Sequence, residues 1–150
     1  MSHSITELCT GCMACTTVCP SGAITGEKGK RHAIDGDLCI NCAACGRICT
    51  KEAVIDPHGV KVGRIKRSQW PKPVFDLEHC YSCNGCSEVC PAECIAMVNN
   101  GTRHNPNNQY LDYPVMANEK KCIGCGWCAE TCNFGAITMS TPAPAPAAAE

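Results

Sequence analysis

The sequence predicts an α+β fold of two tandem units, each organised around bound metal, and three observations carry that expectation. Sixteen of the seventeen cysteines fall into four copies of C-x2-C-x2-C-x3-C. Each copy is followed, after three residues, by a small residue and then Ile or Val: Ala23-Ile24, Ala53-Val54, Cys94-Ile95 and Ala136-Ile137. The apolar content is also thin. The hydrophobic fraction of 45% in 150 residues counts the cysteines, and without them roughly a third remains. Halves of about 65–70 residues need staples, and bound metal supplies them because binding and folding are linked.

In chain order the four motifs are CTGCMACTTVCP (Cys9, Cys12, Cys15, Cys19), CINCAACGRICT (Cys39, Cys42, Cys45, Cys49), CYSCNGCSEVCP (Cys80, Cys83, Cys86, Cys90) and CIGCGWCAETCN (Cys122, Cys125, Cys128, Cys132). They form an internal repeat covering most of the chain. Each unit reads as a loop, a short helical turn and a short strand. The strand candidates are Ala23–Thr25, Arg31–Asp35, Val54–Asp56, Val60–Val62, Ile95–Val98, Val115–Ala117 and Ala136–Met139. Turns fall at Gly26–Gly29 and Pro57–Gly59. The expected organisation is a first half over 1–62, a basic connector over 63–73, a second half over 74–139 and a Pro/Ala tail over 140–150. Asn99–Tyr113 is an Asn-rich insertion expected to be an exposed loop, and the tail has nothing to bury.

The spacing suits a [4Fe–4S] cube, which takes one soft thiolate on each iron. Three cysteines three residues apart let a tight loop reach three corners. The loop must turn sharply before its second cysteine, where Gly11, Asn41, Ser82 and Gly124 stand; Gly and Asn accept left-handed backbone more readily than other residues. The fourth cysteine lies one helical turn beyond the third and faces a partner cluster. Structural zinc pairs two CxxC knuckles across a longer spacer, so a zinc module is a remote alternative. Disulfides are disfavoured in a reducing compartment.

On these motifs the first half resembles a bacterial two-cluster ferredoxin, and the second half resembles the same family with a longer spacer. The resemblance spans roughly residues 5–139. It implies four [4Fe–4S] clusters. One would be held by Cys9, Cys12, Cys15 and Cys49, and its neighbour by Cys39, Cys42, Cys45 and Cys19. In the second half the sets would be Cys80, Cys83, Cys86, Cys132 and Cys122, Cys125, Cys128, Cys90. A nested pairing of outer with outer and inner with inner motifs is the alternative, as in four-cluster subunits of molybdenum oxidoreductases. The family's Pro after the fourth cysteine stands at Pro20 and Pro91, but Thr50 and Asn133 replace it elsewhere.

Other residues carry weaker signals. Cys94 sits where the other repeats have Ala and reads as a small buried residue beside a cluster. None of the five histidines is spaced for ligation, and His79 reads as a surface residue. Tyr81 and Trp127 lie inside cysteine loops and are expected to shield clusters. Lys61, Arg64, Lys66, Arg67 and Lys72 surround Trp70 in the connector, which reads as a solvated linker or a docking contact. The sequon Asn100-Gly101-Thr102 carries no weight in a cytoplasmic protein.

With every iron capped by thiolate, no open position is left for substrate, and there is no nucleotide loop, flavin fingerprint or Ser-His-Asp set. The function expected is one-electron transfer, with no catalytic residues of the chain's own. The favoured role is the relay subunit of a multi-subunit oxidoreductase, linking a catalytic subunit to a second redox module such as a flavin protein or ferredoxin. The family hint is the polyferredoxin-type subunit beside tungsten- or molybdenum-dependent aldehyde oxidoreductases. A freely diffusing carrier is the alternative, and self-association is a further expectation. The formal charge is −1, and four oxidised clusters would bring it to roughly −9, which disfavours nucleic acid. No secretory leader or membrane span is evident, so the expected compartment is an anaerobic cytoplasm.

Overall fold

The structure, a computed structural model, describes residues 2–99, 101 and 111–140. Most of the Asn-rich insertion, including Asn100 and Thr102 of the sequon, and the tail beyond Ser140 lie outside the described residues. The chain divides into two compact units, one running to Trp70 and the other starting at Pro71.

The first unit contains β1 (Ser4–Ile5), α1 (Ala14–Val18), β2 (Ile24–Thr25), β3 (Ala33–Ile34), α2 (Ala44–Ile48) and β4 (Val54–Ile55). The second repeats the order with β5 (Lys72–Phe75), α3 (Gly85–Val89), β6 (Ile95–Val98), β7 (Tyr113–Met116), α4 (Trp127–Thr131) and β8 (Ile137–Ser140). Every ladder is antiparallel and two-stranded. The first strand of a unit pairs with its last, β1 with β4 and β5 with β8; the inner hairpins are β2 with β3 and β6 with β7. The α+β class and the two tandem units of like topology expected from the repeat are what the chain adopts. Within each unit the two short helices pack together, α1 on α2 and α3 on α4.

Strands β2, β4, β6 and β8 each begin at the β-branched residue that follows a motif, Ile24, Val54, Ile95 and Ile137. Two strands have no counterpart among the sequence expectations. Ser4–Ile5 is a two-residue strand with no alternation to read, and it exists because Ile5 pairs with Val54. Lys72–Phe75 begins inside the stretch read as connector and contains Pro73, which argues against a strand in isolation. Pairing with β8 overrides that local preference. Val60–Val62 is reduced to one bridge, Ile55 with Lys61. The Asp56 carboxylate accepts from the backbone N–H groups of His58 (2.9 Å) and Val60 (2.8 Å), so the turn takes donors that a longer ladder would need. These two bonds, that from Val60 foremost, hold the Asp56 carboxyl below its ordinary range.

Each core is small and made largely of thiols. In the first unit Ile5, Ile24, Cys45 and Val54 are buried together, with Cys9, Cys15, Cys19, Ile34, Cys49 and Val62 against them. In the second the buried group is Cys94, Ile95, Cys122, Cys128 and Ile137. Trp70 is fully buried, its Nε1–H donating to Ile65 O at 3.0 Å and the Arg67 guanidinium lying 4.8 Å over its ring. The segment read as a solvated linker is therefore partly structured. Its short 3-10 turn at Arg67–Gln69 leads directly into the buried indole.

Candidate metal centres

The motif loops share a backbone conformation that the repeat imposes. The residue before the second cysteine is left-handed in all four copies: Gly11 (φ 69°), Asn41 (57°), Ser82 (59°) and Gly124 (67°). These are the positions the sequence marked for a sharp turn. A second left-handed residue follows each second cysteine, at Met13 (68°), Ala43 (60°), Asn84 (64°) and Gly126 (81°), and caps the short helix. A third falls at Gly22 (65°), Glu52 (48°), Glu93 (49°) and Gly135 (63°). Left-handed backbone costs a non-glycine residue about 1–2 kcal/mol. Among the described residues all seven such residues lie in these loops, so strain is concentrated where the thiols are held. Gly11 has a further constraint, since a Cβ there would lie 2.4 Å from Lys30 N.

Each helix ends on the fourth cysteine of its motif, and that residue is extended: Cys19 (φ −74°, ψ 111°), Cys49 (−69°, 113°), Cys90 (−67°, 109°) and Cys132 (−75°, 99°). The break in helical geometry turns the fourth thiol away from its own loop. As a result, four cavities are each lined by three thiols from one motif and one from the other motif of the same unit. Cys9, Cys12, Cys15 and Cys49 line one of 370 Å³, and Cys39, Cys42, Cys45 and Cys19 line one of 310 Å³. In the second unit Cys80, Cys83, Cys86 and Cys132 line 420 Å³, and Cys122, Cys125, Cys128 and Cys90 line 310 Å³. Among the described residues, no group of three or more His, Cys, Asp or Glu side chains is arranged to hold a single metal ion. The four thiols of each set stand around a space, as the four corners of a multi-iron cube require.

Backbone groups reach the sulfurs. Gly11 N–H donates to Cys9 Sγ at 3.5 Å, Ala53 N–H to Cys49 Sγ at 3.4 Å and Cys94 N–H to Cys90 Sγ at 3.5 Å. The last two explain the small residue four positions after each fourth cysteine: Ala23, Ala53, Cys94 and Ala136 are all buried. Cys94 lies 3.4 Å, sulfur to sulfur, from Cys90 and also lines that unit's 310 Å³ cavity. Its thiol is pushed up, first by its hydrogen bond with Cys122 and then by burial. Burial also raises Cys45 to about 12 and Cys128 to about 11. The Cys15, Cys42 and Cys86 thiols are raised for the same leading reason. Metal binding at these positions displaces protons. Four soft donors around a shared space, with N–H groups aimed at the sulfurs, fit a [4Fe–4S] group.

The remaining sequence candidates separate. Tyr81 stacks on Phe134, ring centroids 4.4 Å apart, and both line the 420 Å³ cavity. Trp127 opens α4 and is not part of any cavity wall described above. His79 is exposed and bonded to Asp76, Nδ1 to Oδ2, at 2.6 Å; this bond leads the causes that hold the Asp76 carboxyl below its ordinary range. Sequence reasoning missed His32 and His3, because ligation spacing was the criterion applied to histidine. Both are buried, His32 in the wall of the Cys9 cavity and His3 in that of the Cys39 cavity. No local signal marked them: His32 reaches Cys9 across 23 positions and His3 reaches Asn41 across 38, so both contacts come from the fold.

Comparison with known proteins agrees with the thiol geometry. Residues 8–53 match a family described as 4Fe-4S dicluster domain, and residues 72–133 match a second family of the same description. The chain is therefore an iron–sulfur electron-transfer protein of the ferredoxin type, built from two dicluster domains, with 4Fe–4S clusters as its cofactors. No curated protein matches it. Among solved structures, it is similar to a chain of the formate dehydrogenase–heterodisulfide reductase–formylmethanofuran dehydrogenase complex from Methanospirillum hungatei, at 22% identity and a TM-score of 0.36. That similarity covers 88% of this chain and 52% of the other, so the chain spans about half the length of its structural relative. No helix among the described residues is long and apolar enough to cross a membrane.

Proposed function

We propose that the chain holds four [4Fe–4S] clusters and works as an electron relay within a multi-subunit oxidoreductase. The observation that carries this reading is the set of four cavities, each lined by four motif thiols in a three-plus-one arrangement, with Cys94 as a fifth thiol in the cavity of Cys122, Cys125, Cys128 and Cys90. The proposed ligand sets are Cys9, Cys12, Cys15, Cys49; Cys39, Cys42, Cys45, Cys19; Cys80, Cys83, Cys86, Cys132; and Cys122, Cys125, Cys128, Cys90. A bound [4Fe–4S] cluster supplies one reversible electron. The chain's own residues hold the sulfurs, donate backbone N–H groups to them and exclude water. Buried Ile24, Ile123 and Ile137 do the last of these, and the exposed Tyr81–Phe134 stack forms an outer part of the wall of the Cys80 cavity.

With sixteen thiolates assigned, the chain keeps no open iron position for a substrate of its own, so chemistry falls to a catalytic partner subunit. The favoured partner is an aldehyde oxidoreductase of the tungsten- or molybdenum-dependent type, with a flavin or ferredoxin module on the other side. A family-level resemblance to polyferredoxin-type subunits motivates this choice, and similar small subunits also serve hydrogenases and formate dehydrogenases. An acidic holoprotein would meet a partner with a basic face. The test is native, anaerobic purification followed by reductive titration. A stoichiometric catalytic partner, and uptake of about four electrons per chain, are expected. A chain that purifies alone and reduces several enzymes is instead a free carrier, and uptake of no electrons overturns the relay.

A further inference from the structure

The two units share a strand register but differ in one side chain facing corresponding cavities. β2 and β3 pair Ile24 with Ile34 and Thr25 with Ala33, which puts Gly26 and His32 next along the hairpin. In the second unit Ile95 pairs with Met116, Ala96 with Val115 and Met97 with Pro114. His32 and Pro114 thus occupy equivalent positions. His32 is in the wall of the cavity of Cys9, Cys12, Cys15 and Cys49, and Pro114 in that of Cys80, Cys83, Cys86 and Cys132.

The His32 ring is built in. It is 2% exposed, its Nδ1 is 3.8 Å from Cys9 Sγ and its Nε2 is 3.0 Å from Met13 Sδ. The space for it comes from Gly26, where a Cβ would lie 2.6 Å from the ring's Cδ2. His3, the other buried imidazole among the described residues, bonds Asn41 Oδ1 at 3.1 Å and so meets an amide.

We propose that His32 is a positioning residue of the first site, donating its Nδ1–H to Cys9 Sγ and thereby setting that site's potential above that of its counterpart at Cys80, Cys83, Cys86 and Cys132. This rests on the reading that both sets hold clusters. The ring meets two sulfurs that only accept, Cys9 Sγ at Nδ1 and Met13 Sδ at Nε2; a ligating thiolate is the charged and stronger acceptor of the two, so the neutral imidazole's single N–H is assigned to Nδ1. Reduction adds negative charge that is shared with the sulfurs, and a hydrogen bond to a sulfur strengthens as that charge grows. The reduced state gains more than the oxidised state, and the potential rises. Proline offers no side-chain donor.

The test is a potentiometric titration followed by EPR on the full chain, purified anaerobically, as wild type, His32→Phe and His32→Gln. Iron and sulfide are counted on every sample. With iron content unchanged, one titrating component of His32→Phe is expected to move to lower potential. His32→Gln, which keeps an N–H donor, restores part of the shift. An unmoved or raised component in fully loaded His32→Phe overturns the proposal, as does a shift equally large in His32→Gln. Should His32→Phe fail to load, pulsed EPR on reduced wild-type protein carrying 15N-histidine decides the matter. An imidazole nitrogen coupling is expected that His32→Gln abolishes, and its absence from wild type overturns the proposal. Wild-type protein without iron and sulfide would overturn the proposed function itself, a failure seen before any comparison of potentials.

Discussion

Ala43 and Gly11 show how backbone conformation rather than side-chain chemistry shapes the sites. Both are left-handed, at 60° and 69°, yet one carries a Cβ and the other has no room for one. Ala43→Gly removes a penalty of about 1 kcal/mol, so cluster loss on heating is expected to move to higher temperature, as followed by visible absorption. Gly11→Ala drives a Cβ to 2.4 Å from Lys30 N, and the same measurement is expected to fall steeply. A Gly11→Ala protein as heat-resistant as wild type would contradict this. The sequence exposed the first left-handed position of each loop because Gly, Asn and Ser stand there. It concealed the second in the first unit, where Met13 and Ala43 have no local preference for that conformation, whereas Asn84 and Gly126 hold the same position in the second. His32 was illegible for a related reason, since only the hairpin pairing brings it to Cys9 across 23 positions.

Among the elements, the short helices decide which motif each fourth thiol serves. The helices run five residues and break into extended geometry at Cys19, Cys49, Cys90 and Cys132. Within a unit, Cys19→Ser is therefore expected to remove the same EPR component as Cys39→Ser, and a different one from Cys9→Ser. Coincident loss in Cys9→Ser and Cys19→Ser would contradict the crossed assignment. The helices and most strands were legible from the repeat, since loop, turn and branched pair recur at fixed offsets. The outer strands β1 and β5 were not, because their partners lie a whole unit away in sequence: Ile5 meets Val54, and Phe75 meets Ile137. The helices also bury thiols. Burial raises Cys45 to about 12 and Cys128 to about 11, so in the empty site these groups are protonated at neutral pH. A ligated thiolate holds no proton, so falling pH favours the empty site, by about tenfold per pH unit for each thiol that takes up a proton. Visible absorbance is expected to bleach progressively as the holoprotein is acidified. Clusters retained better at pH 5 than at pH 8 would contradict that sign.

For the whole molecule, the repetition of one topology around thiol-rich cores makes folding and cluster binding one event. Among the described residues, the first unit's core cluster joins Ile5, Ile24, Val54 and Cys45, and Val18 and Trp70 are the other large apolar side chains it buries, little apolar material to hold about 70 residues without a staple. Four clusters would supply the staples and the redox capacity together. The most direct test is the content of iron and acid-labile sulfide per chain in anaerobically purified protein, with EPR after dithionite reduction. About 16 of each, with broad signals from spin-coupled neighbouring clusters, is the expected result. About four zinc ions per chain with no sulfide would contradict it and make the chain a structural metal protein.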